Sequence, residues 1–304
     1  MLNYKNHKKF NFSAIGESIP CFICGANGNY FLKENGFTIR KCKNCKLLYL
    51  SDPPGDLSLK KYYETFYSSA DKNNDFLEQG TNLKLFNSVV MKISKYANGS
   101  KVLEVGAGAG YLIDNLTTNP ESSWDITAIE PDKLAASVIK RKGKASYVHN
   151  GGFDSFTCED ESFDVITGVG SFEHIRDNHF LFEKSFKALK PGGIMVFAVP
   201  NIEGYLIASK MLPFAGIEFL APQHFFDYNP KSVSEIATKY GFEIMEIDIA
   251  PAIDTSRMKL ILNIVKSLSR LLKRYLPQFC LFGGGLTVVF RKPVKSNKIG
   301  GYKE

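Results

Sequence analysis

The sequence predicts an α/β protein, a parallel sheet with helices on both faces, with a small cysteine-rich segment in front. Three observations predict it. From Lys101 onward, short β-branched runs alternate with stretches of helical character, the pattern of strand–helix–strand units. The first of these strands, Lys101-Val-Leu-Glu-Val105, runs straight into the glycine-rich turn Gly106-Ala-Gly-Ala-Gly110. Ahead of both stand two Cys-x2-Cys pairs, Cys21/Cys24 and Cys42/Cys45.

The expected strands are Val102–Val105, Ile126–Ile129, Ser146–His149, Val165–Gly168 and Ile194–Val199. Helices are expected between them over residues 110–117, 132–142 and 178–190. After Pro200 the pattern changes: a helix over Pro230–Tyr240, a strand over Phe242–Ile249, a long helical segment near 257–276 and a last strand at Leu286–Arg291. Upstream, short strand-like runs (Tyr30-Phe-Leu32, Phe37-Thr-Ile39) lie between the cysteine pairs. The turn Ser51-Asp-Pro-Pro-Gly-Asp56 follows, then two expected helices, Leu59–Phe66 and Phe76–Tyr96. The implied organisation is a cysteine module in residues 1–50 and a helical linker or substrate cover in 51–98. The main domain occupies 99–292, with 203–230 and 251–283 as lid or insert segments, and 293–304 form a polar tail.

A chain of 304 residues with 44% hydrophobic and 23% charged residues has the composition of a globular protein with a sizeable core. The first 20 residues are polar and lack the apolar stretch of a secretory leader. No apolar run approaches the roughly 20 residues that span a bilayer. A cytoplasmic location with reduced thiols is therefore expected, which favours metal ligands or buried thiols over disulfides for the six cysteines. The net charge of +7 is uneven. Residues 251–304 carry 11 Lys/Arg against Asp254 and Glu304, +9 in all; the remainder carries 27 against 29, or −2. The basic character belongs to the C-terminal segment and says little about the main domain.

Glycines after a strand let the backbone turn sharply and approach a ligand closely, and the helix that follows offers N–H groups to an anion. A Gly-x-Gly turn alone is weak evidence. Here the third glycine falls at Gly110, whereas the dinucleotide pattern wants it at the next position, which is Tyr111. An acid, Glu104, stands two residues before Gly106. It suits the ammonium end of an amino-acid-like ligand and would repel a pyrophosphate. A second acid, Glu130, ends the next strand, where it suits hydrogen bonds to both ribose hydroxyls.

The cysteine pairs leave 17 residues between Cys24 and Cys42. Thiolate pairs at this spacing form two knuckles that complete a closed tetrahedral four-sulfur zinc site, structural in role. Arg40, Lys41, Lys43 and Lys46 stand nearby to offset thiolate charge. Cys158 and Cys280 have no partner spacing.

Glu104–Gly110, Ile129-Glu130-Pro-Asp132, Ser162-Phe-Asp-Val-Ile166 and Leu189-Lys-Pro-Gly-Gly193 resemble, in order and spacing, the motifs of class I S-adenosylmethionine (SAM)-dependent methyltransferases. The resemblance covers about residues 82–292. It implies a Rossmann-like seven-stranded sheet whose last strand, Leu286–Arg291, is antiparallel. It implies that SAM is held by Glu104, Gly106, Ala107, Gly108, Gly110 and Glu130, that Gly152 and Phe153 lie near the adenine, and that Gly170 and Ser171 line the methionine end. Many members carry an Asp just before the adenine-contacting residue; this chain reads Gly151-Gly152-Phe153-Asp154. With Cys42-Lys-Asn-Cys-Lys-Leu-Leu-Tyr49, Asp52-Pro-Pro54, Tyr62-Tyr63 and Tyr67, the chain is similar to zinc-ribbon-headed methyltransferases of bacterial sugar and surface-polysaccharide synthesis. That likeness implies that Tyr62, Tyr63, Phe66 and Tyr67 help to close a substrate pocket.

Methyl transfer to a hydroxyl needs a group to take its proton. His224, in Pro222-Gln-His-Phe-Phe-Asp227, is the first candidate for base or substrate ligand. His174, in Ser171-Phe-Glu-His-Ile175, is the second, and Glu173 would bind substrate or orient a histidine. His149 ends a strand on the adenine side; His7 and His179 are peripheral.

Between Arg257 and Leu276, apolar residues recur at helical spacing with Lys259, Lys266, Arg270 and Lys273 on another face. Such a helix packs on the domain as part of the cover, or lies on an anionic membrane surface. No interleaved basic and aromatic surface marks nucleic-acid binding. The leading expectation is O-methylation of a sugar hydroxyl in a nucleotide sugar or surface glycan. A sugar C-methyltransferase, an RNA methyltransferase and a non-catalytic SAM-binding module are the alternatives.

Overall fold

The structure is a computed structural model that describes residues 18–55, 58–59, 83–118, 123–203, 206, 218–251 and 283–294. The expected helix at Leu59–Phe66 beyond residue 59, the expected Phe76–Tyr96 helix before Leu83, the four aromatic residues at 62, 63, 66 and 67, residues 204–205 and 207–217 of the expected 203–230 lid, the basic 257–276 segment and Cys280 lie outside the described residues.

The N-terminal segment forms β1 (Gly28–Glu34), β2 (Phe37–Cys42) and β3 (Leu48–Leu50). Helix α1 (Leu83–Tyr96) follows. The main domain then alternates: β4 (Lys101–Val105), α2 (Tyr111–Leu116), β5 (Asp125–Ile129), α3 (Lys133–Lys142), β6 (Tyr147–His149), β7 (Phe163–Val169), a short 3-10 turn at Phe172–His174, α4 (Asn178–Ala188) and β8 (Leu189–Pro200). It ends with β9 (Phe226–Asp227), α5 (Pro230–Tyr240), β10 (Glu243–Pro251) and β11 (Gly283–Arg291).

Local chemistry sets the helix ends. Asp132 caps α3 by accepting from Ala135 N at 2.7 Å, Asp177 caps α4 through Phe180 N, and Asn229 and Ser232 form a reciprocal capping box at α5, with Pro230 at its first position. Gly143 and Gly241 close α3 and α5 in the left-handed conformation.

Seven strands form one sheet in the order β10-β11-β8-β7-β4-β5-β6. Pairs β4–β5, β4–β7, β5–β6 and β7–β8 are parallel, while β11 runs antiparallel to both its neighbours. The expected Rossmann-like sheet with its antiparallel last strand is therefore observed. Side chains alternate across it. Val102, Ala128, Val165, Val196 and Val289 pack with Val89, Ile93, Leu112 and Ile139 of α1, α2 and α3. Leu103, Val105, Ile166, Phe197 and Phe290 pack on the other face with Leu181, Phe182, Val233 and Ile236 of α4 and α5.

The cysteine segment joins this second core. Phe37, Ile39 and Leu47–Leu50 belong to the same buried cluster as Phe172, Phe182 and Phe226. Its sheet, β1-β2-β3, is completed by β9 from the far end of the chain. The segment thus borrows its core and its fourth strand from the main domain.

Strand β8 begins at Leu189, five residues before the expected Ile194. The Leu189-Lys-Pro-Gly-Gly193 turn is drawn into strand pairing: Gly192 N donates to Lys292 O and Lys292 N to Gly193 O, with a register irregularity between Phe163 and Val165 on β7.

Candidate functional site

The turn after β4 is built against the end of β5. Gly106 N and Ala107 N both donate to Ile129 O, at 2.9 and 3.0 Å. Gly106, Gly108 and Gly110 have φ of +75°, +54° and +79°, a region that other L-residues enter only at a cost. Their surroundings differ. A Cβ on Gly106 would lie 2.5 Å from Ser171 Cβ, and one on Gly110 would lie 3.2 Å from Ile139 Cγ1, whereas one on Gly108 would meet nothing within 4 Å. Gly108 therefore borders open space.

Glu130 crosses under this turn. Its Oε2 accepts from Gly108 N at 2.7 Å and its Oε1 from Asp132 N at 2.8 Å. Burial pushes its carboxyl up to about 7, against the pull of those two N–H donors. Each oxygen keeps a further lone pair. The 149–153 segment is knitted to the same place: Glu130 N donates to His149 O, Gly151 N to Glu130 O, and Asn150 Nδ2 to Glu130 O. Asp154 folds back over Gly152, whose Cβ would lie 2.2 Å from its Oδ1. Phe153 is buried, with the Lys184 ammonium 4.6 Å from its ring centre and donating to Phe153 O at 2.6 Å. His149 pairs with Ser155 Oγ at 2.9 Å.

Glu104 is buried on β4, and its Oε2 has no hydrogen-bond partner. Burial, then the nearby Glu130 and Asp114 carboxylates, push it up to about 8. Thr167 stands in register beside it on β7, with its Oγ1 also buried and unpartnered. Unpaired buried polar groups are costly, so this pair marks a place built for a polar ligand. An ammonium group would satisfy Glu104 and draw it into the ionised form. An unpaired acid, an open glycine and a strand-end carboxylate with lone pairs to spare fit the amino-acid and ribose parts of SAM.

Two residues past Gly168, the chain turns at Gly170 (φ +63°). Ser171 Oγ donates to Val105 O at 2.7 Å, which fixes this turn to the glycine loop. The 3-10 turn then presents Glu173 and His174 to His224, which arrives from the segment before β9. The His174 and His224 ring centres are 4.6 Å apart and nearly perpendicular. Glu173, His174 and His224 each place a ligating atom within 4.8 Å of the others'. His174 Nδ1 lies 2.9 Å from Gln223 O. A carbonyl only accepts, so Nδ1 carries the proton and Nε2 keeps its lone pair. Burial lowers both histidines, His224 further through the neighbouring His174 charge. Burial pushes Glu173 up to about 8, and its Oε2 is unpartnered.

The sulfurs of Cys21 and Cys45 lie 3.5 Å apart and those of Cys24 and Cys42 3.4 Å apart, all four within 4.8 Å of one another. A tetrahedral zinc with Zn–S of about 2.3 Å sets its sulfurs about 3.8 Å apart. The hydrogen bond between Cys21 and Cys45 lowers the Cys21 thiol and raises that of Cys45, as in two thiols that share one proton. The basic residues nearby also make contacts of their own. Lys41 pairs with Glu203, Arg40 Nη1 donates to Gly28 O and Lys46 to Lys43 O. They tie the module to itself and to the main domain.

The structure thus places each expected site residue. It brings the residues expected to hold SAM (Glu104, Gly106, Ala107, Gly108, Gly110, Glu130, Gly170, Ser171) to one end of the sheet, and Glu173, His174 and His224 beside them. Sequence reading missed Lys184 and Glu34, whose contacts join distant segments.

Residues 78–247 match the methyltransferase-domain family. A probable S-adenosylmethionine-dependent methyltransferase of Mycolicibacterium smegmatis is 22% identical over 156 residues, 51% of this chain and 57% of that protein; the chain spans little more than half of that relative. A ubiquinone/menaquinone biosynthesis C-methyltransferase of Geotalea daltonii is 27% identical over 199 residues, 61% of this chain and 84% of that protein. Among solved structures, the Burkholderia thailandensis 1,6-didemethyltoxoflavin-N1-methyltransferase, with its acceptor and S-adenosylhomocysteine bound, aligns over 87% of this chain and 99% of its own, with a TM-score of 0.53 and 12% identity. That likeness is one of fold.

Proposed function

Because the chain belongs to the methyltransferase-domain family, we propose that it transfers a methyl group from SAM to a hydroxyl of a sugar, in a nucleotide sugar or a surface glycan. The observation that carries the chemistry is the junction of two groups of residues. The Gly106–Gly110 turn, with Glu104 and Glu130, touches Ser171, and three residues on from Ser171 stands His174, its ring packed against that of His224.

Bound SAM supplies an electrophilic methyl on its sulfonium. Glu104 would hold the ammonium of the methionine part, and Glu130 would accept from the ribose hydroxyls with the lone pairs that Gly108 N and Asp132 N leave over. The residue contribution to rate is then orientation and proton removal. Both imidazoles are lowered and so stand neutral at pH 7. As the acceptor oxygen bonds to the methyl carbon and the sulfur–methyl bond breaks to leave S-adenosylhomocysteine, His224, its ring against that of His174, would take the proton that the hydroxyl loses. Glu173, pushed up to about 8 by burial in the resting site, would be drawn toward its ionised form by the imidazolium beside it.

The sugar acceptor rests on the sequence resemblance to zinc-ribbon-headed sugar methyltransferases. A carbon acid of the same sugar would use the same base, and the C-methyltransferase relative favours keeping that reading. The four-cysteine cluster is read as a structural zinc site, closed and without a position for water.

The acceptor is tested with methyl-labelled SAM against nucleotide sugars and surface-glycan fragments. Label in a nucleotide sugar or glycan, lost in His224→Ala, supports the proposal. Label appearing only in RNA, or in none of these with SAM bound, overturns it.

A further inference from the structure

The His224 segment is held from outside as well as by its own turn. Between Phe219 and Gln223 it makes a turn with Leu220 at φ +71°, a conformation that a leucine adopts only when its surroundings impose it. The imposing group comes from the cysteine module. At the tip of the β1–β2 hairpin, Glu34 Oε2 accepts from Phe219 N and Oε1 from Ala221 N, both at 2.8 Å. The next residue, Asn35, donates from Nδ2 to Ala221 O at 2.8 Å. Ala221 is gripped by its N–H and its carbonyl at once.

The grip leads directly to both histidines. Leu220 O, between the two gripped amides, accepts from Gln223 N at 2.8 Å and from His224 N at 3.1 Å. Gln223 O in turn holds His174 Nδ1. On the far side of His224, the module supports the chain again: Leu50 N donates to Phe225 O at 2.8 Å, and β3 pairs with β9. The main domain holds the same chain from its own side, through Phe225 N donating to Glu173 O at 2.8 Å.

We propose that Glu34 and Asn35 are positioning residues for the proton-accepting histidines: the module's hairpin tip clasps the Phe219–Ala221 turn and thereby sets the place of His224 and the tautomer of His174. The module is then a structural part of the acceptor side of the site, in addition to any role as a metal-held fold. This rests on the reading that the histidine pair serves the acceptor. It concerns only that side, because nothing in the clasp touches Glu104, Glu130 or the glycine turn.

The decisive experiment uses the full-length protein and needs no acceptor. Histidine side-chain NMR, assigned with His174→Gln and His224→Gln, follows the two imidazoles through a pH titration. Calorimetry with S-adenosylhomocysteine follows the other half of the site. Glu34→Ala is expected to move both imidazole resonances and to shift their titration upward toward 6.5, the ordinary histidine value, as the turn opens to water. S-adenosylhomocysteine affinity should change less than about twofold. Glu34→Gln keeps one acceptor oxygen and should fall between the wild type and Glu34→Ala. Asn35→Gly suits the left-handed φ of 52° at that position and removes only the grip on Ala221 O. It serves as the second variant if Glu34→Ala does not fold, and is expected to move the same resonances. Unchanged imidazole titrations in folded Glu34→Ala or Asn35→Gly would overturn the proposal. An equal loss of S-adenosylhomocysteine binding would overturn it too, since it would show a general structural role. Failure of the base reading is separable: His224→Ala would then keep methyl transfer, while the clasp variants still move the imidazoles.

Discussion

Glu104 gives the sharpest quantitative expectation. It is a fully buried acid with an unpartnered oxygen, pushed from the ordinary 4.5 up to about 8. A carboxyl whose folded-state value is raised destabilises the fold as it ionises, so its relative stability is greatest below pH 4.5 and is lost as pH rises toward 8. Between pH 4.5 and 7 some 2.5 units of that interval are crossed; at about 1.36 kcal/mol per unit, the ligand-free protein loses about 3 kcal/mol to this group. Glu104→Gln removes the titration and keeps the shape. Its buried amide has its own pH-independent cost, so the informative quantity is the change in ΔΔG with pH. Urea unfolding of both proteins, without SAM, should show the variant gaining about 3 kcal/mol on the wild type between pH 4.5 and 7. The variant should also bind SAM more weakly, having no negative charge for its ammonium. A ΔΔG that is the same at both pH values would refute the reasoning, because it would mean that Glu104 titrates as an exposed acid.

The glycine turn separates into a structural and a binding position. Gly106→Ala places a Cβ 2.5 Å from Ser171 Cβ at φ +75° and should cost more than the about 1–2 kcal/mol of left-handed strain alone. Gly108→Ala meets no neighbour and should cost no more than that strain, yet weaken SAM binding; thermal unfolding and calorimetry distinguish the two. His224→Ala should abolish most methyl transfer at pH 7 with SAM affinity unchanged, and the double variant with His174→Ala should add little to it. Zinc should be found near one equivalent in protein purified without chelator. Stripping it should lower Tm, by about 2–4 °C for each kcal/mol lost in a domain of this size, because the module shares the core of the main domain; a metal-free preparation with an unchanged Tm would refute the zinc assignment.

Much of the sheet was legible in the sequence, for reasons that are local. Val102–Val105 and Ile126–Ile129 are β-branched runs bounded by turn residues, and Asn229-Pro230 announces the start of α5. That the residues expected to hold SAM would lie together was legible because the motif places acid, glycines and second acid on consecutive elements. What was hidden depends on distant partners. Strand β9 is only Phe226–Asp227, too short to show a period, and exists because β3 offers it an edge. Glu34 reads as a solvent-facing acid at a hairpin tip, and only folding brings it to residues 185 and 187 positions away. Lys184 reads as a helix-surface cation, yet it holds two carbonyls of the 153–156 loop. The beginning of β8 was misplaced because Pro191-Gly192-Gly193 is turn chemistry, overridden by pairing with the chain after β11.

The account's central claim is that the Glu104–Gly110 turn and Glu130 together hold SAM. Calorimetry of SAM with the wild type and Glu130→Ala tests it most directly. The account predicts saturable one-to-one binding by the wild type, weakened by the about 1.5–3 kcal/mol typical of a charged hydrogen-bonding group, roughly 10- to 100-fold, in a folded Glu130→Ala. No binding by the wild type, or equal binding by both proteins, would contradict it.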